Sequence, residues 1–280
     1  MEATHQANDE QTKLWNGPAG HAWINMQALL DQLFKPFENL LVEAVVRNAG
    51  HKVLDVGCGT GGTTLAIASR LGTNGYCTGI DISEPMIATA QLRSERDNTP
   101  ASFICANVQA HKFEPACFDM IISRFGVMFF DDPVQAFSNL KHAARDKAKL
   151  RFIAWRSAAE NPFMTTAERA AAPLIPNLPT RRPDAPGQFA FGDQHRIYSI
   201  LHQSGWTDIQ IQPIDVACTF PEQNLLQYLT QLGPVGLILQ EADEQTRTRV
   251  IHVVRQAFDP YVHGMEVRFT AACWMVSATS

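Results

Sequence analysis

The segment Val53-Leu54-Asp55-Val56-Gly57-Cys58-Gly59-Thr60-Gly61-Gly62 constrains this chain more than any other. Four glycines within six residues cannot continue a strand, so the apolar run before them must end in a sharp turn. Apolar residues at helical spacing follow, and a second apolar run ends at Gly79-Ile80-Asp81-Ile82-Ser83. Strand, glycine turn, helix, strand and terminal carboxylate is the order in which an α/β protein holds an adenosine-containing ligand. The turn lets the backbone approach, the helix N-terminus faces the ligand, and the acid grips the ribose diol.

The alternation continues to Trp155. Strands are expected at about 52–56, 76–80, 101–105, 118–123 and 149–155, with helices at about 61–71, 84–96 and 133–146. Ser83, and Asp131 or Asp132, are placed to cap the last two, with Pro85 and Pro133 in their first turns. This predicts a Rossmann-like, doubly wound sheet. Pro162, Pro173, Pro176, Pro179, Pro183 and Pro186 then crowd one stretch, which reads as a surface excursion with short helices over the strand ends. Helix returns at 193–203, a strand at about 207–216, helices at about 222–230 and 243–257, and a final strand at about 267–278. Upstream, Ile24 to Ala49 has helical spacing that Pro36 is expected to break, and it should pack on the sheet or fold across the pocket mouth. The stretch from Trp15 to Trp23 is expected to be too glycine-rich for helix, serving either as a buried anchor or as a loop covering the ligand.

Two cofactor readings compete. Gly57-x-Gly59-x-x-Gly62, with Asp81 following 19 residues after Gly62, satisfies the dinucleotide fingerprint. Asp55, however, puts a carboxylate at the end of the first strand, where it would repel a pyrophosphate. S-adenosylmethionine carries a sulfonium, an ammonium and a carboxylate but no phosphate, so Asp55 can accept from the ammonium. The amides of Gly57 to Gly61 are expected to approach the carboxylate and ribose. A nicotinamide-dependent reductase of the Tyr-x-x-x-Lys type is excluded, because Tyr76, Tyr198, Tyr228 and Tyr261 are followed four places on by Ile80, His202, Leu232 and Met265.

Leu54-Asp55-Val56-Gly57-Cys58-Gly59-Thr60-Gly61, Asp81-Ile82-Ser83-x-x-Met86 and Phe118-Asp119-Met120-Ile121-Ile122-Ser123-Arg124-Phe125-Gly126-Val127-Met128-Phe129-Phe130 together resemble the class I S-adenosylmethionine-dependent methyltransferases, particularly the ubiquinone and menaquinone biosynthesis branch. Weaker likeness extends through Trp15 to Gly20 and Ala272 to Ser277. The resemblance implies a seven-stranded sheet, mostly parallel with an antiparallel last strand. It divides the chain into an N-terminal cap (1–50), a cofactor-binding core (51–156), a proline-rich lid (157–190) and remaining core (191–280) with a helical insert at 221–262. It departs at Asp146-Lys147-Ala148-Lys149, where such chains carry a proline-glycine-glycine turn.

The candidate cofactor residues are Trp15, Asp55, Gly57, Cys58, Gly59, Asp81, Ile82, Met86, Ala106, Asn107, Val108, Ser123 and Arg124. Ile82 and Met86 can pack one adenine face, while Ala106-Asn107-Val108 offer the other face and an edge contact, unless Asn107 is an ordinary strand-end cap. Ser123-Arg124 ends the fourth strand, and so charged a residue after so apolar a run is expected to turn into the pocket, toward a nearby carboxylate, or out to solvent. Phe129 is a candidate acceptor wall. Methyl transfer requires alignment rather than a dedicated acid or base, so no catalytic residue is named, and His21 and His111 read as structural.

Composition narrows the partners. The net charge is −5 and no basic run exceeds Arg181-Arg182, which disfavours nucleic acid. The first ten residues are polar and acidic, without a signal-like apolar run, and no segment has bilayer length, so a cytoplasmic location is expected. The six cysteines form no C-x-x-C pair and the nine histidines no H-E-x-x-H, so reduced core thiols are expected and no metal is implied. A small, partly apolar acceptor is the expected partner, with a non-catalytic S-adenosylmethionine sensor or scaffold as the alternative.

Overall fold

A computed structural model of the chain describes residues 10–47, 51–182 and 185–280. The acidic start before residue 10, the helix end at Ala49 and Pro183 lie outside these residues. The glycine turn separates β1 (Lys52–Val56) from α4 (Gly62–Leu71), and the same alternation gives β2 (Tyr76–Asp81), α5 (Glu84–Arg96), β3 (Ala101–Cys105), β4 (Phe118–Arg124), α6 (Pro133–Ala143) and β5 (Ala144–Trp155). Ser83 and Asp132 are the caps, accepting from Met86 N at 3.4 Å and Gln135 N at 2.9 Å.

After the proline-rich segment come α8 (Gln194–Gln203), β6 (Thr207–Pro221), a two-residue β7 (Val262–His263) and β8 (Glu266–Thr279). The order across the sheet is β3-β2-β1-β4-β5-β8-β6, with β7 paired to β8 alone. β1 to β5 run parallel, and β8 lies antiparallel to both β5 and β6. The expected seven-stranded sheet is therefore present with one short addition at the β7–β8 hairpin. Strand order reverses between β1 and β4, the crevice where open sheets of this type bind ligands.

Three expectations are corrected. Residues 10–16 (α1) and Pro18–Asn25 (α2) are helical despite their glycines. Gly17 is the hinge between them, and Gly20 allows a contact that a side chain would forbid, since a Cβ there would stand 1.9 Å from Trp15 O. The break expected at Pro36 occurs instead at Met26, and α3 runs unbroken from Gln27 to Arg47. Pro36 forfeits one backbone bond, but Phe34 and Phe37 on either side are buried against Phe125 and Trp155, and this packing holds the helix together. The helix expected to reach residue 146 stops at Ala143, because Ala144 already pairs with Phe118.

The departure from a proline-glycine-glycine turn explains that last change. Residues 144–149 extend β5 through a bulge, and Lys147 takes a left-handed conformation at φ 60°. A helical layer covers the other end of the sheet. α7 (Pro162–Ala171), within the proline-rich segment, joins α9 (Leu225–Gln231), α10 (Gly233–Glu241) and α11 (Glu244–Ala257). Phe163 anchors this layer, stacking on Phe269 at 3.8 Å between Phe220, Phe258 and Tyr261. α10 was missed in the sequence because it follows α9 with only Leu232 between them, and Gly233 (φ 71°) makes that turn.

Lys147 is exposed and pays for a backbone region that favours glycine. Lys147→Gly is expected to stabilise the protein by about 0.5–1 kcal/mol after the entropic cost of glycine in the unfolded chain. Urea denaturation of the two proteins measures it.

Candidate cofactor site

The turns leaving β1 and β4 meet through glycines. A Cβ on Gly57 (φ 66°) would lie 2.6 Å from Gly126 Cα, and one on Gly126 would lie 2.6 Å from Val56 O. Ser123 fastens this contact, its Oγ donating to Val56 O at 2.7 Å and accepting from Gly126 N at 3.1 Å. Ser123 is buried, so its hydroxyl serves the scaffold. Phe125 takes a left-handed conformation at φ 66° and stacks on Trp155 at 4.8 Å.

Asp81, at the end of β2, accepts from Gly59 N at 2.8 Å and Ser83 N at 2.9 Å. These amides aim the carboxylate beside the glycine turn and favour its charged form, while burial pushes its pKa up. The expectation that the turn's amides face the cofactor is corrected in part. Gly57 N and Cys58 N both donate to Ile80 O, at 2.8 and 3.2 Å, and Gly61 N donates to Cys58 O at 3.0 Å. A four-glycine turn must satisfy its own buried amides, and the adjacent end of β2 supplies the acceptors.

Asp55 is 1% exposed and accepts from Thr64 Oγ1, in the first turn of α4, at 2.7 Å. Burial raises its pKa to about 7; the Thr64 hydrogen bond and the Arg124 charge oppose the rise, and the charges of Asp81 and Glu38 add to it. Arg124 leaves β4 beneath α3, with its guanidinium 5.7 Å from the centre of the Phe34 ring. Its Nη1 is buried without a hydrogen-bond partner. Cys58 is buried too, and its thiol is held well above its ordinary pKa.

The adenine candidates are arranged around Asp81. Met86 and Val108 are buried, Ile82 and Ala106 half-buried, and Ala106 N donates to Asp81 O at 2.9 Å. Asn107 Oδ1 accepts from Gln109 N at 2.9 Å, which makes it a local turn cap. The loop is tied down by Asn139 in α6, which donates to Val108 O and His111 O at 2.6 and 2.8 Å.

The N-terminal helices are fastened over these elements. Ser83 Oγ donates to Trp15 O at 2.6 Å, Asn16 Nδ2 to Ile82 O at 3.1 Å, and Glu84 N to Asn16 Oδ1 at 2.9 Å. Trp15 packs edge-on against Phe129 at 5.0 Å and Trp23 at 6.0 Å. In α3, Asp31 pairs with Arg93 at 2.6 Å, and Arg93 Nη1 donates to Thr60 O at 2.7 Å, which binds α3 and α5 to the glycine turn. Sequence reasoning missed Asp31, Glu38, Thr64, Arg93 and Gly126. Glu38 was legible only as one charge on the apolar stripe of α3; the others carry no local signal. A 740 Å3 cleft around Lys149, Tyr198, Thr207 and Ser277 lies toward the opposite end of the sheet, away from these groups.

A family model described as a methyltransferase domain matches residues 53–147. Aklanonic acid methyltransferase DauC of Streptomyces sp. (strain C5) is 30% identical over 119 residues, covering 41% of this chain and 54% of that protein. Demethylmenaquinone methyltransferase of Shouchella clausii is 31% identical over 103 residues, covering 36% of this chain and 44% of that one. The matched region thus spans about half the length of these relatives. Magnesium protoporphyrin IX methyltransferase from Synechocystis PCC 6803, solved with bound S-adenosylhomocysteine, superposes with a TM-score of 0.58 at 13% identity over 98% of this chain and 99% of that one, a likeness of fold. The fold and the glycine-turn site define an α/β protein built around an adenosine-containing cofactor. Residues 53–147 carry a methyltransferase domain, relatives that match this region are named methyltransferases, and S-adenosylmethionine is the cofactor that these likenesses support.

Asp55 gives this site a pH signature. Its folded pKa, about 7, lies above the ordinary 3.8, so its stabilising contribution is complete at low pH and is lost as pH rises from about 4 to 7. Asp55→Asn, which keeps an acceptor for Thr64, should therefore gain stability relative to the parent across that window and hold the gain above it, by a few kcal/mol at most. Denaturation of both proteins at several pH values tests this, and a difference that does not vary with pH would refute it.

Proposed function

We propose that this protein transfers the methyl group of S-adenosylmethionine to a small, partly apolar acceptor. The observation that carries the reading is the Asp81 carboxylate, oriented by Gly59 N and Ser83 N at the end of β2, beside the glycine turn that leaves β1. Those two amides leave lone pairs on both oxygens for a ribose diol. Asp55, buried close by, argues against a pyrophosphate ligand.

The cofactor, when bound, supplies an electrophilic methyl group on a sulfonium. In-line displacement then asks the chain for alignment and exclusion of water. Met86 and Val108 are buried and Ile82, next to Asp81 in the chain, is half-buried, and these apolar side chains are the ones that would pack an adenine ring. Trp15, Trp23 and Phe129 are half-buried aromatics clustered at the mouth. They present an apolar wall to the acceptor and keep water from the methyl group, and this wall supports a partly apolar acceptor. α10 of the helical insert touches α2, which brings the insert next to this aromatic cluster's helices.

Methyl-labelled S-adenosylmethionine, incubated with the protein and a panel of small aromatic and aliphatic acceptors, should label at least one of them. Asp81→Ala should weaken cofactor binding by about 1.5–3 kcal/mol through the lost charged hydrogen bonds. Unchanged affinity in a folded variant would remove Asp81 from the site, and tight binding with no labelled acceptor would favour a sensor.

A further inference from the structure

The 740 Å3 cleft at the end of the sheet opposite the glycine turn takes no part in cofactor binding, yet it is built from side chains that strand register places together. Lys149 and Arg151 are two residues apart in β5, so both stand on the same face of the sheet. In β8 their cross-strand partners are Thr279 and Ser277. Lys149 Nζ donates to Thr279 Oγ1 at 3.0 Å, and Arg151 Nη2 donates to Ser277 Oγ at 3.4 Å. Each hydroxyl, having accepted from a cation, keeps its own O–H to give to a ligand. Thr207 of β6 continues the floor, its Oγ1 donating to Thr279 O at 3.1 Å.

The charges here are unbalanced. Neither Lys149 nor Arg151 makes an ion pair among the described residues. Lys149 is exposed, but Arg151 is half-buried, and burial together with the nearby charge of Arg47 lowers its pKa. Arg47 is itself bonded to Glu43 at 3.1 Å. Trp206, which also lines the cleft, has Lys141 Nζ 5.9 Å from its ring centre, and Asp208 is the one carboxylate among the described lining residues. In a chain of net charge −5, this is a concave site of positive potential. A cation partly withdrawn from water beside a second cation is stabilised by an anion that meets both. The cleft has an aromatic wall as well. Tyr198 and His202, one turn apart on α8, stack at 5.8 Å with 15° between their planes, and Tyr198 is 51% exposed.

We propose that this cleft is a second ligand site, taking a phosphorylated ring compound of nucleotide size whose phosphate is held by Lys149, Arg151 and the Ser277 and Thr279 hydroxyls while its ring rests on Tyr198. Cations two residues apart on a strand stand about 7 Å from each other, a spacing that lets both reach one phosphate or diphosphate group. The guanidinium supplies forked donors and the ammonium a point charge, the two modes by which side chains hold phosphate oxygens. A cavity of 740 Å3 accommodates a ligand of that size. The site stands whether or not the chain binds S-adenosylmethionine, because it shares no residue with the glycine turn.

Calorimetric titration of the full chain at low salt with uridine diphosphate, inorganic pyrophosphate and uridine tests this, the uracil ring being chosen because it is not the adenine of the cofactor. Uridine diphosphate should bind most tightly, pyrophosphate more weakly, and uridine at least about 10-fold more weakly than the diphosphate. Arg151→Met and Lys149→Met should each weaken uridine diphosphate by about 10-fold, and Asp81→Ala should leave its affinity unchanged. Tyr198→Ala should weaken the nucleotide and not pyrophosphate. Thermal melting without ligand reports whether each variant is folded. Failure of the unaltered protein to bind either phosphate compound would overturn the site even if no variant folds. Undiminished binding in folded Arg151→Met and Lys149→Met, or binding lost in folded Asp81→Ala, would overturn it as well by placing the nucleotide elsewhere. Equal affinity for uridine diphosphate and pyrophosphate would overturn the role given to Tyr198.

Discussion

The contact between Gly57 and Gly126 is the constraint on which the site depends. The two turns lie so close that no Cβ fits on either glycine, and the Ser123 hydroxyl holds them there. With β1 and β4 leaving the sheet side by side, Asp55 pairs in register with Ile122, two residues before Arg124. Both charged side chains are thereby directed to the α3 and α4 side of the sheet. The same turn forces Phe125 to φ 66°, and stacking on Trp155 helps to offset that strain.

Around this contact the protein buries charge that a purely structural core would avoid. Asp55 and Glu38 are 1% and 4% exposed, and the Asp81 carboxyl is driven up in pKa by burial. A buried carboxylate lowers stability unless a counter-charge meets it, as Lys35 meets Glu38. Their concentration at the switch point, with Arg124 among them, is the pattern of a binding site prepared at the expense of stability. The N-terminal helices are then fastened beside it. α1 is tied to the end of β2 through Trp15 and Asn16, and α3 is tied to the glycine turn through Asp31 and Arg93.

The family match over residues 53–147 coincides with the strands and turns that orient Asp55, Asp81 and Arg124. The helices that roof the mouth, α1 to α3 before it and α7 with α9 to α11 after it, lie outside that span. This division has a physical basis. Sites of one chemistry are grafted on a shared core, while the elements around the core vary from protein to protein.

The sequence by itself determined the alternation of strands and helices, the position of the glycine turn and the carboxylate at the end of β2. These are local consequences of side-chain period, missing Cβ atoms and capping. It did not determine that α1 and α2 are helical, since Gly20 declares its purpose only once Trp15 O lies against it, nor that Pro36 sits inside an intact helix held by aromatic packing. Only the tertiary structure decided which donors in the turn are spent and which are free, because Ile80 O, Thr64 and the unpartnered Nη1 of Arg124 come together from segments far apart in the chain. Hydrogen-bond satisfaction at a buried site is settled by neighbours in space, and a single sequence does not name them.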